Sequence, residues 1–116
     1  MRKSIGSKKI KTAVFISGKG SNLKNLIKFA KNKKYPFSVD LIFSNTKKAK
    51  GLSYSKIYKI KKKVICYDKK IKTDKKILKI LTQKKIKLIC LAGFMKILSK
   101  NFIKKFQGEI INIHPS

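Results

Sequence analysis

Five stretches of the chain contain a short apolar run, which is the pattern of strands buried on both faces of a sheet. They are residues 9–17, 37–45, 63–67, 86–94 and 108–114. The run "IKLICLAGF" at 86–94 is the most apolar of the five. We therefore predict that this stretch is an interior strand.

Between these runs, apolar residues recur at the spacing of amphipathic helices. Four helices are predicted, and their inward-facing residues are Leu23, Leu26, Ile27 and Ala30; Leu52, Ile57 and Ile60; Ile77, Leu78, Ile80 and Leu81; and Phe102, Ile103 and Phe106. We expect Ser21 and Ser99 to cap the first and last helices. The second helix is expected over about 49–59, and the third is expected to begin at Thr73.

The alternation of strands and helices predicts an α/β domain with a mostly parallel sheet and helices on both of its faces. Crossovers in such a sheet are right-handed. Ligands bind beyond the carboxyl ends of the strands, near the point where the strand order reverses. Three segments follow predicted strands there: "SGKGSN", "AGFMKIL" and "NIHPS". We look for function in these segments.

The length of 116 residues fits one domain, expected over 1–116 with a basic extension at 1–10. Lys and Arg number 32 against 4 Asp and Glu, a formal net charge of +28. This charge suggests a nucleic-acid partner, but only Arg2 is an arginine, and the lysines are scattered over every predicted element. A codon bias towards Lys, Ile and Asn is the simpler explanation. We expect non-specific polyanion binding and no specific nucleic-acid partner.

Two cysteines, Cys66 and Cys90, lie in apolar runs without the spacing of metal ligands. We expect both to be buried, reduced thiols, with neither a disulfide nor a metal. The first residues lack the apolar stretch of a signal peptide, and no segment has the length of a bilayer span. The sequence thus predicts a cytoplasmic protein with no membrane partner.

The segment "SGKGSN" places two glycines before a helix, where backbone N–H groups could hold an anion such as phosphate. The same pattern is also an ordinary turn. It lacks the Gly-Lys-Ser/Thr ending of a P-loop, and its glycine spacing is not the dinucleotide fingerprint. The segment leaves open a phosphate site or a simple turn.

Asn112 and His114 stand two residues apart on the last predicted strand, so their side chains share a face. Two N–H donors pointing together could stabilise an oxyanion, and His114 could move a proton. From spacing alone, a surface or hydrogen-bonded histidine at a strand end is the favoured interpretation. The pair is therefore only a candidate catalytic pair.

Taken together, "VFISGKGSNLKNLI", "LICLAGFMKILS" and "IINIHPS" closely resemble the phosphoribosylglycinamide formyltransferases, from about Lys11 to the last residue. Relatives that formylate initiator methionyl-tRNA typically carry Gly in place of Pro115, and formyltetrahydrofolate hydrolases a second His. The resemblance implies a Rossmann-like formyltransferase fold. It also implies formyl transfer from 10-formyltetrahydrofolate to glycinamide ribonucleotide in purine biosynthesis, without a metal.

The resemblance implies a role for each matching residue. The substrate phosphate would be held by Gly20, Ser21 and Asn22, and the folate by Met95, Lys96, Ile97 and Leu98. Lys96 stands where the family commonly has Arg, which keeps the charge and loses the planar fork. Plain core packing is the alternative for Met95, Ile97 and Leu98. Asn112 and His114 would stabilise the oxyanion formed when the glycinamide amine attacks the formyl carbon.

The family's third catalytic residue is an Asp in a C-terminal half that has no counterpart in these 116 residues. We therefore expect a C-terminally truncated formyltransferase domain that is inactive alone. One possibility is an N-terminal half whose partner half is separately encoded, or an incomplete sequence. The other is a catalytically dead remnant that binds phosphate or polyanions through its charge.

Overall fold

The computed structural model describes residues 9–66 and 70–113. For residues 70 and 71, at the start of a helix, it describes the backbone only. Five strands alternate with four α-helices and one 3₁₀ helix. In chain order they are β1 (Ile10–Ile16), α1 (Ser21–Ala30), β2 (Phe37–Ser44), the 3₁₀ helix (Lys50–Leu52), α2 (Ser53–Tyr58), β3 (Lys61–Val64), α3 (Lys70–Gln83), β4 (Leu88–Ala92), α4 (Lys100–Lys105) and β5 (Glu109–Ile113).

The five strands form one sheet in the order β3-β2-β1-β4-β5, and every neighbouring pair is parallel. The predicted α/β class and parallel sheet are confirmed. The chain first builds outward from β1 to β3 and then returns to the other side of β1 for β4. The order therefore reverses between β1 and β4, so the carboxyl ends of these two strands frame the expected ligand crevice.

Both faces of the central strands β2, β1 and β4 are largely buried, because helices cover each face. On one face Phe15 and Phe43 meet at a ring-centroid distance of 4.6 Å, and α3 and α4 close this core with residues such as Phe102. On the other face Val14 and Ile16 pack under α1 and the 3₁₀ helix. Successive residues of β1 thus enter opposite cores, which explains why residues 13–16 of this strand are all apolar.

The predicted helix starts are right in one case and wrong in two. Ser99 caps α4 as predicted, since its hydroxyl accepts a hydrogen bond of 3.0 Å from the Phe102 N–H. Ser21 does not cap α1, because the capping position falls on Gly20 and Ser21 is the first helical residue. The third helix begins at Lys70, one turn before Thr73. Neither correction moves a helix to another face.

The inward faces of the helices are largely as predicted, with Leu23, Ile27, Ile77 and Leu81 buried. Ile103 and Ile57 are the exceptions, at 51% and 63% exposed. Both belong to six-residue helices, which present too few turns to bury a wide apolar stripe. In α4 the neighbouring Phe102 takes the inward position and is fully buried.

The third strand differs from its prediction. It covers Lys61–Val64 and not 63–67, so Cys66 lies beyond its end and is exposed. The prediction that both thiols are buried is therefore wrong for Cys66 and confirmed for Cys90. As an edge strand, β3 needs little apolar surface, and its three lysines are exposed.

Of the predicted N-terminal extension, only Lys9 and Ile10 are among the described residues. Lys9 donates through its ammonium group to the carbonyl oxygens of Ala30 and Asn32, at the carboxyl end of α1. A cation is favourable at that end of a helix dipole. None of the helices within the described ranges combines the length and apolarity needed to cross a bilayer.

Candidate functional site

The glycine loop at residues 17–20 joins β1 to α1 at the carboxyl edge of the sheet. Gly20 adopts φ +78°, a left-handed conformation that favours glycine, and it occupies the position before the first helical residue. No side chain caps α1 and its first turn carries no acidic residue. The first-turn N–H groups of a ten-residue helix, including those of Ser21 and Asn22, therefore face the crevice side uncapped.

Gly51 of the 3₁₀ helix packs against the back of this loop at very short range. Its N–H donates a 2.9 Å hydrogen bond to the carbonyl oxygen of Gly18. A Cβ on Gly20 would lie 2.9 Å from the Gly51 Cα, and a Cβ on Gly51 would lie 2.7 Å from the Ile16 Cδ1. Sequence reasoning missed Gly51, although a glycine within a predicted helix is a signal of close backbone approach.

Ser17 connects three elements at the point where the strand order reverses. Its hydroxyl donates to the Asn45 Oδ1, just after β2, and accepts a 2.8 Å hydrogen bond from the Met95 N–H, just after β4. The glycine loop and the segment after β4 are therefore held together by one side chain. No local pattern indicates this contact, because Ser17 and Met95 are 78 residues apart.

The loop at residues 93–99, between β4 and α4, separates its apolar side chains into two groups. Met95 and Ile97 are 79% and 83% exposed, and Lys96 is exposed between them. Leu98 is buried in the core that contains Phe102. Core packing is thus excluded for Met95 and Ile97 and observed for Leu98, so the four predicted folate residues do not share one environment.

Phe94 anchors the start of that loop against the sheet. Its ring meets Phe15 edge-on at a centroid distance of 5.3 Å and lies 6.1 Å from the Phe43 ring. Gly93, with φ +72°, makes the turn that brings the Phe94 ring inward. With Phe94 directed into the core, the following Met95 and Ile97 are left on the surface of the crevice.

A buried carboxylate holds the other end of the loop. Asp74 of α3 is 5% exposed, and its Oδ2 accepts a 2.7 Å hydrogen bond from the Ser99 hydroxyl. Among the described residues, the buried Asp74 Oδ1 has no hydrogen-bond partner. No sequence pattern indicates this contact, because Asp74 and Ser99 lie 25 residues apart along the chain.

Asn112 lies near the carboxyl end of β5, and its side chain is exposed. In register it pairs with Leu91, which in turn pairs with Phe15, the residue before the last of β1. Two strand spacings separate Asn112 from Phe15, about 10 Å. Asn112 is therefore on the crevice edge, as predicted, whereas His114 lies outside the described residues.

Two other carboxylates are placed away from this edge. Asp40 accepts hydrogen bonds from the Thr12 N–H and the Ser38 hydroxyl, near the amino ends of β1 and β2. Glu109 is exposed at the first position of β5. Within the described ranges, no group of three or more His, Cys, Asp and Glu residues could hold a metal ion.

A cavity of about 480 Å³ lies at the opposite edge of the sheet, between α3 and α4. Its walls include Lys87, which precedes β4, and Gln107, which precedes β5. These are amino ends of strands, whereas ligands of open α/β sheets bind at the carboxyl ends. The glycine loop, the 93–99 loop and Asn112 all lie at the carboxyl edge, so the candidate site is there.

Comparison with known proteins decides the family. Residues 10–116 match the model of the family described as Formyl transferase. The chain belongs to this family. The match contains the glycine loop, the 93–99 loop and Asn112, which are the three parts of the crevice.

Individual relatives of this formyl transferase chain support the same assignment. It is 40% identical over 115 residues to the trifunctional purine biosynthetic protein adenosine-3 of Gallus gallus, covering 97% of this chain and 12% of that protein. It is 37% identical to the phosphoribosylglycinamide formyltransferase of Haemophilus influenzae, covering 91% of this chain and 51% of that one. The resemblance to phosphoribosylglycinamide formyltransferases in the N-terminal region is confirmed.

Solved structures agree with the fold of the formyl transferase chain. The phosphoribosylglycinamide formyltransferase of Brucella melitensis superimposes with a TM-score of 0.87 at 37% identity, over 94% of this chain and 58% of that one. Glycinamide ribonucleotide transformylase 1 of Geobacillus kaustophilus gives a TM-score of 0.85 at 30% identity. The predicted Rossmann-like formyltransferase fold is confirmed, and the chain spans little more than half of these relatives.

Proposed function

We propose that this chain supplies the N-terminal part of a phosphoribosylglycinamide formyltransferase, which transfers a formyl group from 10-formyltetrahydrofolate to glycinamide ribonucleotide in purine biosynthesis. The observation that carries the proposal is the Ser17 bridge, which joins the glycine loop to the 93–99 loop through the Met95 N–H. The glycine loop, which is suited to bind a phosphate, thus lies next to a loop with exposed apolar side chains. Such a crevice suits two substrates that must meet.

The ribonucleotide phosphate is assigned to the glycine loop. The uncapped start of α1 offers N–H groups and the positive end of a helix dipole to an anion. Gly20 brings the backbone close to the anion, and Gly51 behind it supports the loop through its hydrogen bond to the Gly18 carbonyl oxygen. Ser21 and Asn22 stand at the first two helical positions, where their side chains could add hydrogen bonds to the same phosphate.

The folate is assigned to the 93–99 loop. Met95 and Ile97 offer apolar surface next to the crevice, and apolar walls with a few polar groups are usual for ligands of this size. Lys96 between them carries a positive charge suited to an anionic group of the ligand. Leu98 is buried, so its contribution is to hold the loop backbone from within the core and not to line an open surface.

The chemical step is assigned to Asn112 with His114. An exposed Asn112 amide at the crevice edge can donate to an oxyanion, which is where a fixed donor has its largest effect. His114 stays a prediction, since it lies outside the described residues. The resemblance implies a further catalytic Asp beyond the matched segment, so we propose that activity requires a C-terminal part and that the 116 residues alone are inactive.

The test is formyl transfer from 10-formyltetrahydrofolate to glycinamide ribonucleotide, measured for the 116-residue chain alone and with the C-terminal half of a complete relative added in trans. We expect no turnover by the chain alone and turnover after the addition. The added half by itself is the control. Turnover by the chain alone, or none by the combination of two folded parts, would contradict the proposal.

The net charge of +28 favours one alternative function, which is polyanion binding by a catalytically dead remnant. In that case binding of duplex DNA would fall steeply with salt, with the linear dependence of log K on log salt that counterion release produces. Glycinamide ribonucleotide would not bind. The proposed formyltransferase differs in the ribonucleotide, which is expected to bind and to stay bound at a salt concentration that releases DNA. A cytoplasmic location and the absence of a specific nucleic-acid partner stay predictions.

A further inference from the structure

The two ends of the 93–99 loop are held by the same arrangement of atoms. At each end a serine hydroxyl donates a hydrogen bond to a side-chain oxygen and accepts a hydrogen bond from a backbone N–H. Ser17 donates to the Asn45 Oδ1 and accepts from Met95. Ser99 donates to the Asp74 Oδ2 and accepts from Phe102. We call these two arrangements the serine relays.

The direction of each relay follows from the chemistry of a hydroxyl group. A hydroxyl has one proton and two lone pairs, so a fixed acceptor for the proton also fixes where the lone pairs point. The Asn45 oxygen therefore orients Ser17 towards the Met95 N–H in the loop. The Asp74 oxygen orients Ser99, the last residue of the loop, towards the Phe102 N–H in the first turn of α4. A hydroxyl without such an acceptor would rotate, and the backbone N–H would lose a fixed partner.

A buried carboxylate such as that of Asp74 is unusual in a contact that is purely structural. It is 5% exposed, and one of its buried oxygens lacks a hydrogen-bond partner among the described residues. Burying a carboxylate that is only partly satisfied is costly. Such a cost is typical of functional positions, where local stability is given up for a fixed geometry.

We propose that Ser17 and Asp74 are positioning residues, which act through the two serine relays to fix the 93–99 loop in the conformation that receives the folate. The ligand named here rests on the proposed function. The relays flank Met95 and Ile97, whose exposed side chains have no core packing to hold them. Their orientation therefore depends on the backbone, and the backbone depends on the relays.

The first measurement is amide hydrogen exchange on the full 116-residue chain, which needs no ligand. We expect Ser17→Ala to speed exchange of the Met95 N–H about tenfold, equivalent to about 1.4 kcal/mol. Asp74→Ala should have the same effect at the Phe102 N–H. Ser38→Ala is the matched control, since it removes a serine hydroxyl bonded to a carboxylate at the amino edge of the sheet. It should change neither amide.

The second measurement is binding of 10-formyltetrahydrofolate and, separately, of glycinamide ribonucleotide. Asp74→Ala should weaken folate binding about tenfold and leave ribonucleotide binding unchanged, because Asp74 contacts no part of the glycine loop. Asp74→Asn, which retains an oxygen for Ser99, should restore folate binding. It also serves as the folded variant if Asp74→Ala proves unstable by circular dichroism.

Two results would count against these roles, and a third, distinguishable result would count against the proposed function. Unchanged exchange at both amides would overturn the serine relays. Faster exchange with folate affinity equal to that of the unmodified chain would overturn their positioning role. Failure of the unmodified chain to bind folate would instead contradict the proposed function, before any variant is compared.

Discussion

Gly20 and Gly51 lie so close together that a Cβ on Gly20 would be 2.9 Å from the Gly51 Cα. This contact joins the glycine loop after β1 to the 3₁₀ helix after β2. At Gly51 the added Cβ would lie 2.7 Å from the Ile16 Cδ1 and 3.0 Å from the Gly20 Cα, so the overlap there is with a buried side chain as well as with backbone. The shape of the proposed phosphate loop thus depends on a glycine that is 31 residues away from it along the chain.

We predict that Gly20→Ala and Gly51→Ala each lower the free energy of unfolding by roughly 1–3 kcal/mol, through steric overlap and, at Gly20, the left-handed backbone. Urea unfolding measures this. Gly18→Ala is the matched control, because a Cβ there would meet nothing within 4 Å. Equal stability of all three variants would show that the loop can move away from Gly51.

Phe102 and Ile103 give a second prediction, on the burial of adjacent residues in α4. Phe102 is fully buried, whereas Ile103 is 51% exposed. Phe102→Ala should lower the free energy of unfolding by roughly 3–5 kcal/mol, since it leaves a cavity in the core. Ile103→Ala should cost about 1 kcal/mol or less. If the two costs were reversed, α4 would have to present its other face to the sheet.

The two cysteines should react at very different rates. Cys66 is exposed, whereas Cys90 is buried and burial raises the pKa of its thiol. A raised pKa means that less thiolate is present at a given pH, so iodoacetamide at pH 8 should modify Cys66 alone in the native chain. Both cysteines should react in denaturant, and Cys66→Ser should abolish native labelling. Rapid native labelling of Cys90 would contradict its burial.

Substitution of Asn112 should lower activity and leave stability almost unchanged. Its side chain is exposed, so Asn112→Ala should change the free energy of unfolding by no more than about 0.5 kcal/mol. The same change should lower formyl transfer by the trans-complemented enzyme about 10²- to 10³-fold, as expected for loss of an oxyanion donor. Asn101→Ala, at another exposed asparagine, is the control and should leave both quantities unchanged. A stable Asn112→Ala variant with full activity would remove Asn112 from the chemical step.

The sequence by itself determined the class of the fold, because that information is local. A strand buried on both faces must be apolar throughout, and a helix over a sheet must repeat its apolar residues every three or four positions. These patterns correctly predicted the number and order of the five strands and four helices, although β3 and two helix starts lie one to three residues from their predicted positions. The Ser99 cap was equally local. The positions of the glycine loop, the 93–99 loop and Asn112 at the carboxyl edge of the sheet followed from the order of these elements.

The tertiary structure alone decided which residues support the site. The Ser17 contact with Met95 spans 78 residues and the Asp74 contact with Ser99 spans 25, and no periodicity encodes either of them. The same is true of Gly51 behind Gly20. Ile103 and Cys66 were wrongly expected to be buried, because apolar character in a short helix or beyond an edge strand does not fix a direction. Local pattern selects the elements, whereas packing selects the partners, since a contact between distant segments exists only once the whole sheet has formed.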